Sequence, residues 1–120
     1  MNFIFVSACC TELRIDVYTT NINWLSGNYV MQPELLNGQR FWTSSEGNAI
    51  WYDSEINHWH AGGIKDIGSS NGYMKTFVSD LSQECPNNKS YNWYYWDDVT
   101  QSYLLDIFKD VIRVQCIHGL

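Results

Sequence analysis

Residues 12–18 read ELRIDVY, and this stretch decides the fold class of the chain. Polar and apolar side chains alternate almost strictly, so Leu13, Ile15 and Val17 share one face of an extended segment. A period of two is the pattern of a half-buried β-strand, whereas the apolar face of a surface helix repeats about every 3.6 residues. The stretch therefore predicts a β-sheet that buries one of its two faces.

Further segments with strand character lie between turn signals along the rest of the chain. Asn37-Gly38 predicts the turn of a hairpin, because both central positions of a type I′ turn need positive φ. Residues 62–72 are rich in Gly, Ser and Asn and predict a long loop. In the final segment we expect Ile112, Val114 and Cys116 to share the buried face. The segments are residues 29–32, 39–44, 49–53, 58–61, 73–78, 92–97, 103–108 and 111–116.

The spacing of these segments indicates the architecture. No window shows a convincing helical period, and short strands recurring every 8–12 residues or so are typical of all-β domains. We predict an all-β fold, namely a small, disulfide-stapled antiparallel sandwich, roll or barrel of about seven to nine short strands. The 120 residues and mass of 14.0 kDa fit a single domain that spans residues 1–120.

Composition excludes several classes of function. The net charge is −6, and the seven Lys and Arg residues are scattered, so the chain lacks the basic patch of a nucleic-acid-binding protein. No apolar run approaches the roughly 20 residues that a membrane span needs. Aromatic residues make up 16% of the chain, including six Trp and eight Tyr, which makes them the main functional clue.

The four cysteines are Cys9, Cys10, Cys85 and Cys116. They form neither a C-x-x-C pair nor the Cys/His spacing of a structural zinc site. An even number of cysteines in a small chain favours disulfides and an oxidising compartment. Of the three pairings we favour a bridge from Cys9 or Cys10 to Cys116, with the other vicinal cysteine reaching Cys85. The alternative is four buried free thiols.

Two further features agree with an extracellular or cell-surface protein. Residues 1–9 have two interpretations: they are the remnant of a signal peptide with Val6-Ser7-Ala8 before the cleavage point, or they form a first β-strand. The sequon Asn88-Lys89-Ser90 follows Pro86 in a polar turn. It predicts N-glycosylation of Asn88 at the surface.

The tryptophans of the predicted strands are the candidate ligand-binding residues. Because neighbouring strand residues point to opposite faces, Trp51 and Tyr52 cannot both enter the core of a sheet with one buried face. For the same reason two of the four aromatic residues in 93–96 must point away from the other two. Exposed rings stack on sugars or anchor protein interfaces. The predicted set is Trp42, Trp51, Trp59, Trp93 and Trp96.

The alternative is a two-layer core with both faces covered, or rings that loops shield from solvent. Trp is a highly buried residue type on average, and that favours this alternative.

Two groups of residues have the chemistry of metal ligands but not a complete set. His58 and His60 share one strand face about 7 Å apart, where Asp53 or Glu55 would complete a zinc or copper site. Clustered carboxylates suit calcium, although they lack the spacing of an EF-hand loop. The carboxylates are Asp53, Asp97, Asp98, Asp106 and Asp110. We therefore predict no metal and no cofactor.

Catalytic signatures are missing from the sequence. It contains neither a G-x-S-x-G elbow nor an H-E-x-x-H motif. Asp53 and Asp97 are a conceivable carboxylate pair for glycoside hydrolysis, but any acidic chain offers such pairs. We predict that the protein is not an enzyme.

A set of short motifs resembles a known type of domain. Gly27-x-Tyr29, Asn37-Gly38-Gln39, residues 50–53 (IWYD), Trp59, Cys85-Pro86 and Trp93 follow one another in the order of a Trp- and Cys-containing module. That module occurs in large secreted or surface proteins of animals and protists. The resemblance covers roughly residues 13–116. It implies an extracellular, disulfide-bonded β module used in recognition or assembly, and it transfers no catalytic residue.

The leading hypothesis is a non-catalytic extracellular recognition module that binds a glycan or a protein surface through exposed aromatic residues. The alternative is a structural subunit of an extracellular filament or matrix. In that case the chain self-associates, and residues 2–8 pair with the sheet edge of a neighbour. The expected partners are a glycan or an extracellular protein, with no nucleic acid and no membrane span.

Overall fold

The computed structural model describes residues 9–36, 38–53, 55–76, 85–88 and 91–118. These residues form nine β-strands and two single-turn 3-10 helices, at Asn23–Leu25 and Ile64–Asp66, which confirms the predicted all-β fold. The strands are β1 (Glu12–Val17), β2 (Gly27–Met31), β3 (Trp42–Thr43), β4 (Asn48–Asp53), β5 (His58–Gly63), β6 (Met74–Thr76), β7 (Trp93–Asp97), β8 (Ser102–Leu105) and β9 (Ile112–His118).

All strands belong to one antiparallel sheet in the order β8-β7-β6-β5-β4-β3-β2-β1-β9. Strands β1 to β8 are neighbours in chain order, and the last strand returns to pair with the first. In that ladder Leu13 lies opposite Cys116 and Ile15 lies opposite Val114. The sheet curls into a half-barrel whose two edges are β8 and β9.

The main core fills the concave side of this sheet, which we call the inner face. Leu13, Ile15 and Val17 are buried there as predicted, because the period of two directs all three to the same side. Trp42 and Trp59 meet edge to face at 5.8 Å between ring centroids. The remaining buried members are Ile22, Leu25, Tyr29, Ile50, Tyr52, Ala61, Met74, Trp93 and Ile112.

The outer face is also covered at the centre of the sheet, which is the alternative that the sequence left open. Trp51 and Tyr52 are adjacent, point to opposite faces and are both buried. The expectation that one of them is exposed is wrong, because a second small cluster covers the outer face. Trp51 packs there with Phe41 and Ala49, and Leu36 and Ile67 from two loops pack against them.

The predicted hairpin turn is present. Leu36 and Gln39 exchange both backbone hydrogen bonds, at 2.9 Å each, around Asn37-Gly38. Gly38 has φ of +79°, a conformation that glycine adopts at little cost. The loop predicted to begin at residue 62 begins two residues later in the structure, because β5 continues to Gly63. Residues 1–8, for which the sequence leaves a signal-peptide remnant and a first strand open, lie outside the described residues. The end of the predicted strand 73–78 lies outside them too.

Burial decreases along β9 because this strand is an edge. Ile112 is buried, Val114 is half-buried against the core, and Cys116 is exposed. The predicted face is therefore correct, while the predicted burial of Cys116 is wrong.

Two disulfides join the N-terminal cysteine pair to distant parts of the chain. Cys9 bonds to Cys85 and Cys10 bonds to Cys116, across 76 and 106 residues. This confirms the favoured pairing and settles which vicinal cysteine makes each bridge. In the chain-entropy model, closing loops of this length contributes about 4–5 kcal/mol per bridge. Both bridges fix the start of β1, one to the loop before β7 and one to the edge strand β9.

Candidate functional site

Four of the five tryptophans predicted to bind ligand lie in the interior. Trp42, Trp59 and Trp93 point into the main core, and Trp51 lies beneath the loops of the outer face. Trp42 Nε1 donates to the Cys10 carbonyl at 2.9 Å. The prediction that these four rings are exposed is wrong, because the curl of the sheet and the covering loops leave them no open side. Trp96 is the predicted residue whose ring stays partly accessible.

Trp96 belongs to a group of four partly exposed rings, which we call the aromatic row: Trp24, Tyr73, Trp96 and Tyr103. The last three lie on the outer face at the β6–β7–β8 end of the sheet. Trp96 N donates to the Tyr73 carbonyl at 2.8 Å, and Trp96 lies opposite Tyr103 in the β7–β8 ladder. Residues paired in this way present their side chains on the same face, so Trp96 on β7 and Tyr103 on β8 form a line with Tyr73, which directly precedes β6.

Trp24 extends this line from the first 3-10 helix. The next residue, Leu25, is buried, and its carbonyl accepts a 2.6 Å hydrogen bond from the Tyr29 hydroxyl. The Trp24 carbonyl accepts from Asn48 Nδ2 at 3.0 Å. The backbone is thus held while the indole remains 43% exposed. Its ring meets Tyr73, which is 39% exposed, edge to face at 5.1 Å.

The other end of the row is equally fixed. The rings of Trp96 and Tyr103 meet at 5.3 Å with an interplanar angle of 72°. The Tyr103 hydroxyl donates to the Gly72 carbonyl at 2.5 Å, and the Lys75 ammonium lies 4.0 Å from the centre of the Tyr103 ring. Burial raises the pKa of Tyr103, and the nearby Tyr73 adds to this effect.

Polar groups border the aromatic row. Trp96 Nε1 donates to Asp98 at 2.8 Å, and Asn21 Nδ2 donates to the Trp96 carbonyl at 2.7 Å. Asp97 accepts from the side chain and the backbone of Thr100, and these hydrogen bonds lower the pKa of its carboxyl. Apolar ring faces next to amide and carboxylate groups are the combination that recognises a sugar, which has both C–H faces and hydroxyls.

The predicted histidine pair does share one face, and His60 is fully buried there. His60 stacks between Trp51, at 5.5 Å, and His58, at 5.9 Å. Its Nε2 is 3.7 Å from Asp53 Oδ2, and neither ring nitrogen has a hydrogen-bond partner among the described residues. Burial lowers the pKa of His60 to about 4 and also lowers the pKa of His58.

The carboxylates weighed as metal ligands serve separate turns. Asp106 is buried and accepts from three backbone N–H groups, including that of Ile112 at 2.9 Å. Asp53 and Asp97 end strands that run in opposite directions, so they lie at opposite ends of the sheet. Within the described part of the chain, no three His, Cys, Asp or Glu residues could hold a metal ion.

Asn88, the predicted glycosylation site, lies in a tight turn. Its N–H donates to the Cys85 carbonyl at 3.1 Å, and its side chain is half-buried. Lys89 and Ser90 of the sequon lie outside the described residues.

The sequence-based prediction missed Trp24, Tyr73 and Tyr103: Trp24 lies outside the predicted strands, and the predicted set of strand residues contained tryptophans alone. A usable signal is present for Trp24: it precedes the turn residues Ser26 and Gly27, and chain segments between strands lie at the surface.

Comparison of the chain with known protein families, with curated proteins and with solved structures finds no match in any of the three. No helix in the part of the chain that the structure describes is long and apolar enough to cross a membrane.

Proposed function

We propose that this chain is a non-catalytic extracellular recognition module that binds a glycan through the aromatic row. The observation that carries this proposal is the line of four partly exposed rings on β7, on β8, just before β6 and in one 3-10 turn, each held by hydrogen bonds or ring contacts. A line of rings held rigid before binding loses little conformational entropy when a ligand stacks on it.

Extracellular placement is part of the same proposal. Both disulfides link distant segments, and such bridges persist in oxidising compartments. The sequon at Asn88 agrees with this placement.

The test is a glycan array probed with the oxidised protein, with calcium and again with chelator, followed by titration calorimetry on the strongest glycan. Trp24→Ala and Trp96→Ala should each weaken binding about fivefold or more, as truncation of an interface anchor usually costs above 1 kcal/mol. Tyr18→Ala is the matched control, because Tyr18 is exposed and has no part in the row.

A blank array from folded protein would contradict the glycan proposal for the sugars displayed. Equal binding by wild type and by Trp96→Ala would contradict the assignment to the row.

A structural subunit of an extracellular filament or matrix is the second candidate. Phe108 and Ile107, in the turn between β8 and β9, are 83% and 66% exposed. Two apolar side chains beside the edges of an unclosed sheet favour contact with another copy. This function requires a mass that rises with concentration in analytical ultracentrifugation and falls in Phe108→Ser. A concentration-independent monomer would exclude it.

A further inference from the structure

The aromatic row has a carboxylate at its edge that can meet a ligand. Trp96 Nε1 donates to Asp98 Oδ1 at 2.8 Å, so this carboxylate lies directly beside the Trp96 ring. Asp98 is exposed, and its second oxygen, Oδ2, accepts no hydrogen bond from the described residues. No Lys, Arg or His in the described part of the chain forms an ion pair with it. A ligand that stacks on Trp96 therefore lies within reach of an uncompensated negative charge.

A second carboxylate lies in the same turn. Asp97 follows Trp96 directly and accepts hydrogen bonds from the hydroxyl and the backbone N–H of Thr100, at 2.7 and 2.9 Å. These hydrogen bonds lower the pKa of the Asp97 carboxyl, so it stays ionised at neutral pH. Two negative charges at this end of the row, in a protein whose net charge is −6, repel glycans that carry sulfate or uronic acid groups.

One ring of the row already holds an ammonium group. The Lys75 ammonium lies 4.0 Å from the centre of the Tyr103 ring, where the negative face of the ring attracts a cation. Trp96 makes no such contact with a cation of the described residues. The indole is the ring that attracts cations best, so Trp96 is the ring of this pair that remains for a cation of the ligand.

The rings of the row meet at steep angles. The planes of Trp24 and Tyr73 are inclined by 79°, and those of Trp96 and Tyr103 by 72°. Coplanar rings would form a flat platform on which successive neutral sugars could lie, because each sugar needs a ring face parallel to it. Inclined rings form corners instead, and such corners are the walls of the aromatic cages that recognise ammonium groups.

We propose that the aromatic row selects amino-sugar glycans, which are linear glycans whose sugars carry protonated amines, with oligomers of glucosamine as the type. This inference rests on the proposed function, since it names the glycan class for the same site. The apolar face of one sugar stacks on Trp96, and its ammonium group donates to Asp98 Oδ2. An ammonium group has three N–H donors, so it bonds the carboxylate and still faces a ring.

A basic peptide carries the same charge but fits the row less well. The ammonium group of a lysine lies at the end of a flexible stem, which loses rotamer freedom when it binds. In an amino sugar the amine is fixed on a rigid ring, next to the C–H groups that stack on the indole. One rigid ligand thus satisfies both Trp96 and Asp98 at a smaller entropic cost.

Titration calorimetry of the oxidised protein can compare two hexamers, one of β-linked glucosamine and one of N-acetylglucosamine with the same linkage. The acetyl groups remove the positive charge and leave the sugar backbone unchanged. At low ionic strength and slightly acid pH, we expect the glucosamine hexamer to bind about fivefold more tightly. This preference should decrease as salt is added.

Asp98→Asn keeps an oxygen that accepts from Trp96 Nε1 and removes only the charge. It should reduce the preference about threefold or more and leave the affinity for the acetylated hexamer unchanged. Asp110→Asn is the matched control, because it removes one exposed negative charge from the turn at the other end of β8. It should keep the preference. Lys75→Gln should tighten binding of the glucosamine hexamer, because it removes a like charge.

Three results would overturn this selectivity while leaving glycan binding at the row in place. The first is equal affinity for the two hexamers, with both lost in Trp96→Ala. The second is binding of neither hexamer by protein that binds another glycan on the array. The third is an equal reduction of the preference in Asp98→Asn and Asp110→Asn, which would show attraction by the net charge alone.

Two further results have a different meaning. Hexalysine that binds as tightly as the glucosamine hexamer would overturn the inference in favour of a site for basic peptides. Failure of both hexamers and of every glycan on the array would contradict the proposed function itself, and the inference with it.

Discussion

Strands β4 and β7 have similar aromatic sequences and opposite environments. Residues 48–53 read NAIWYD and residues 93–97 read WYYWD. In β4, all residues from Asn48 to Tyr52 are buried, whereas in β7 only Trp93 is. The inner-face residues of both strands meet the same core. The strands differ on the outer face, where loops cover Trp51 and leave Trp96 accessible.

The cover over Trp51 comes from segments distant in the chain. Leu36 and Ile67 pack against its cluster, and the Ser69 carbonyl accepts from Trp51 Nε1 at 3.0 Å. Gly72 lies directly against His60, next to Trp51 on the same face. An aromatic strand therefore becomes core or surface according to the loops that reach it.

The largest difference in stability is expected between variants that lack one of the two outer-face tryptophans, Trp51 on β4 or Trp96 on β7. Trp51→Ala should lower the free energy of unfolding by about 3–5 kcal/mol, because it empties a fully enclosed site. Trp96→Ala should lower it by about 1 kcal/mol, since the ring is partly exposed and loses chiefly its contact with Tyr103. Urea denaturation measures both. Equal losses in the two variants would contradict the difference between the strands.

The second largest effect is expected from acid, which should lower the stability of the protein through His60 on the covered outer face. Burial lowers the pKa of His60 from 6.5 to about 4, so the unfolded chain binds the proton first as the pH falls. Stability should therefore decrease between pH 6.5 and about 4, by roughly 3 kcal/mol at most from this group. His58 shifts in the same direction.

The measurement is the urea midpoint against pH for wild type and His60→Gln, with the groups around His60 left in place. Those groups are Asp53, His58 and Lys75, and they contribute to both curves. The variant should show the shallower dependence through this window. Parallel curves would contradict the burial of His60.

A smaller loss of stability is expected from a change at Gly72, where the loop between β5 and β6 touches the sheet. In Gly72→Ala the new Cβ would stand 2.6 Å from His60 Nδ1, so the loop must shift, at a cost of about 1–3 kcal/mol. That shift would also move the carbonyl that holds Tyr103.

Gly63→Ala is the control for this change. Its φ is −71°, and its nearest neighbour would lie at 3.6 Å, so the substitution should be nearly neutral. Thermal unfolding of both variants checks the prediction. A neutral Gly72→Ala would show that the loop does not press on His60.

The strands and the disulfides were predictable because their signals are local or few. Alternation at residues 12–18 and the Asn37-Gly38 turn depend on neighbouring residues, and four cysteines allow only three pairings. The sequence could not decide whether Trp51 is exposed or covered, because its cover comes from residues 15 or more positions away in two directions. The aromatic row as a group was not predicted, because Trp24 and Tyr73 are far apart in the sequence and come into contact only in the folded chain.

The solvent accessibility of the individual indoles distinguishes the covered outer face of β4 from the open outer face of β7. The measurement is a ¹⁵N–¹H spectrum of the six indole N–H groups with increasing amounts of a soluble paramagnetic agent. We expect strong broadening for Trp24 and Trp96 and little for Trp42, Trp51, Trp59 and Trp93. A Trp51 signal that broadens as much as that of Trp24 would show that the outer face of β4 is open and would contradict the proposed difference between β4 and β7.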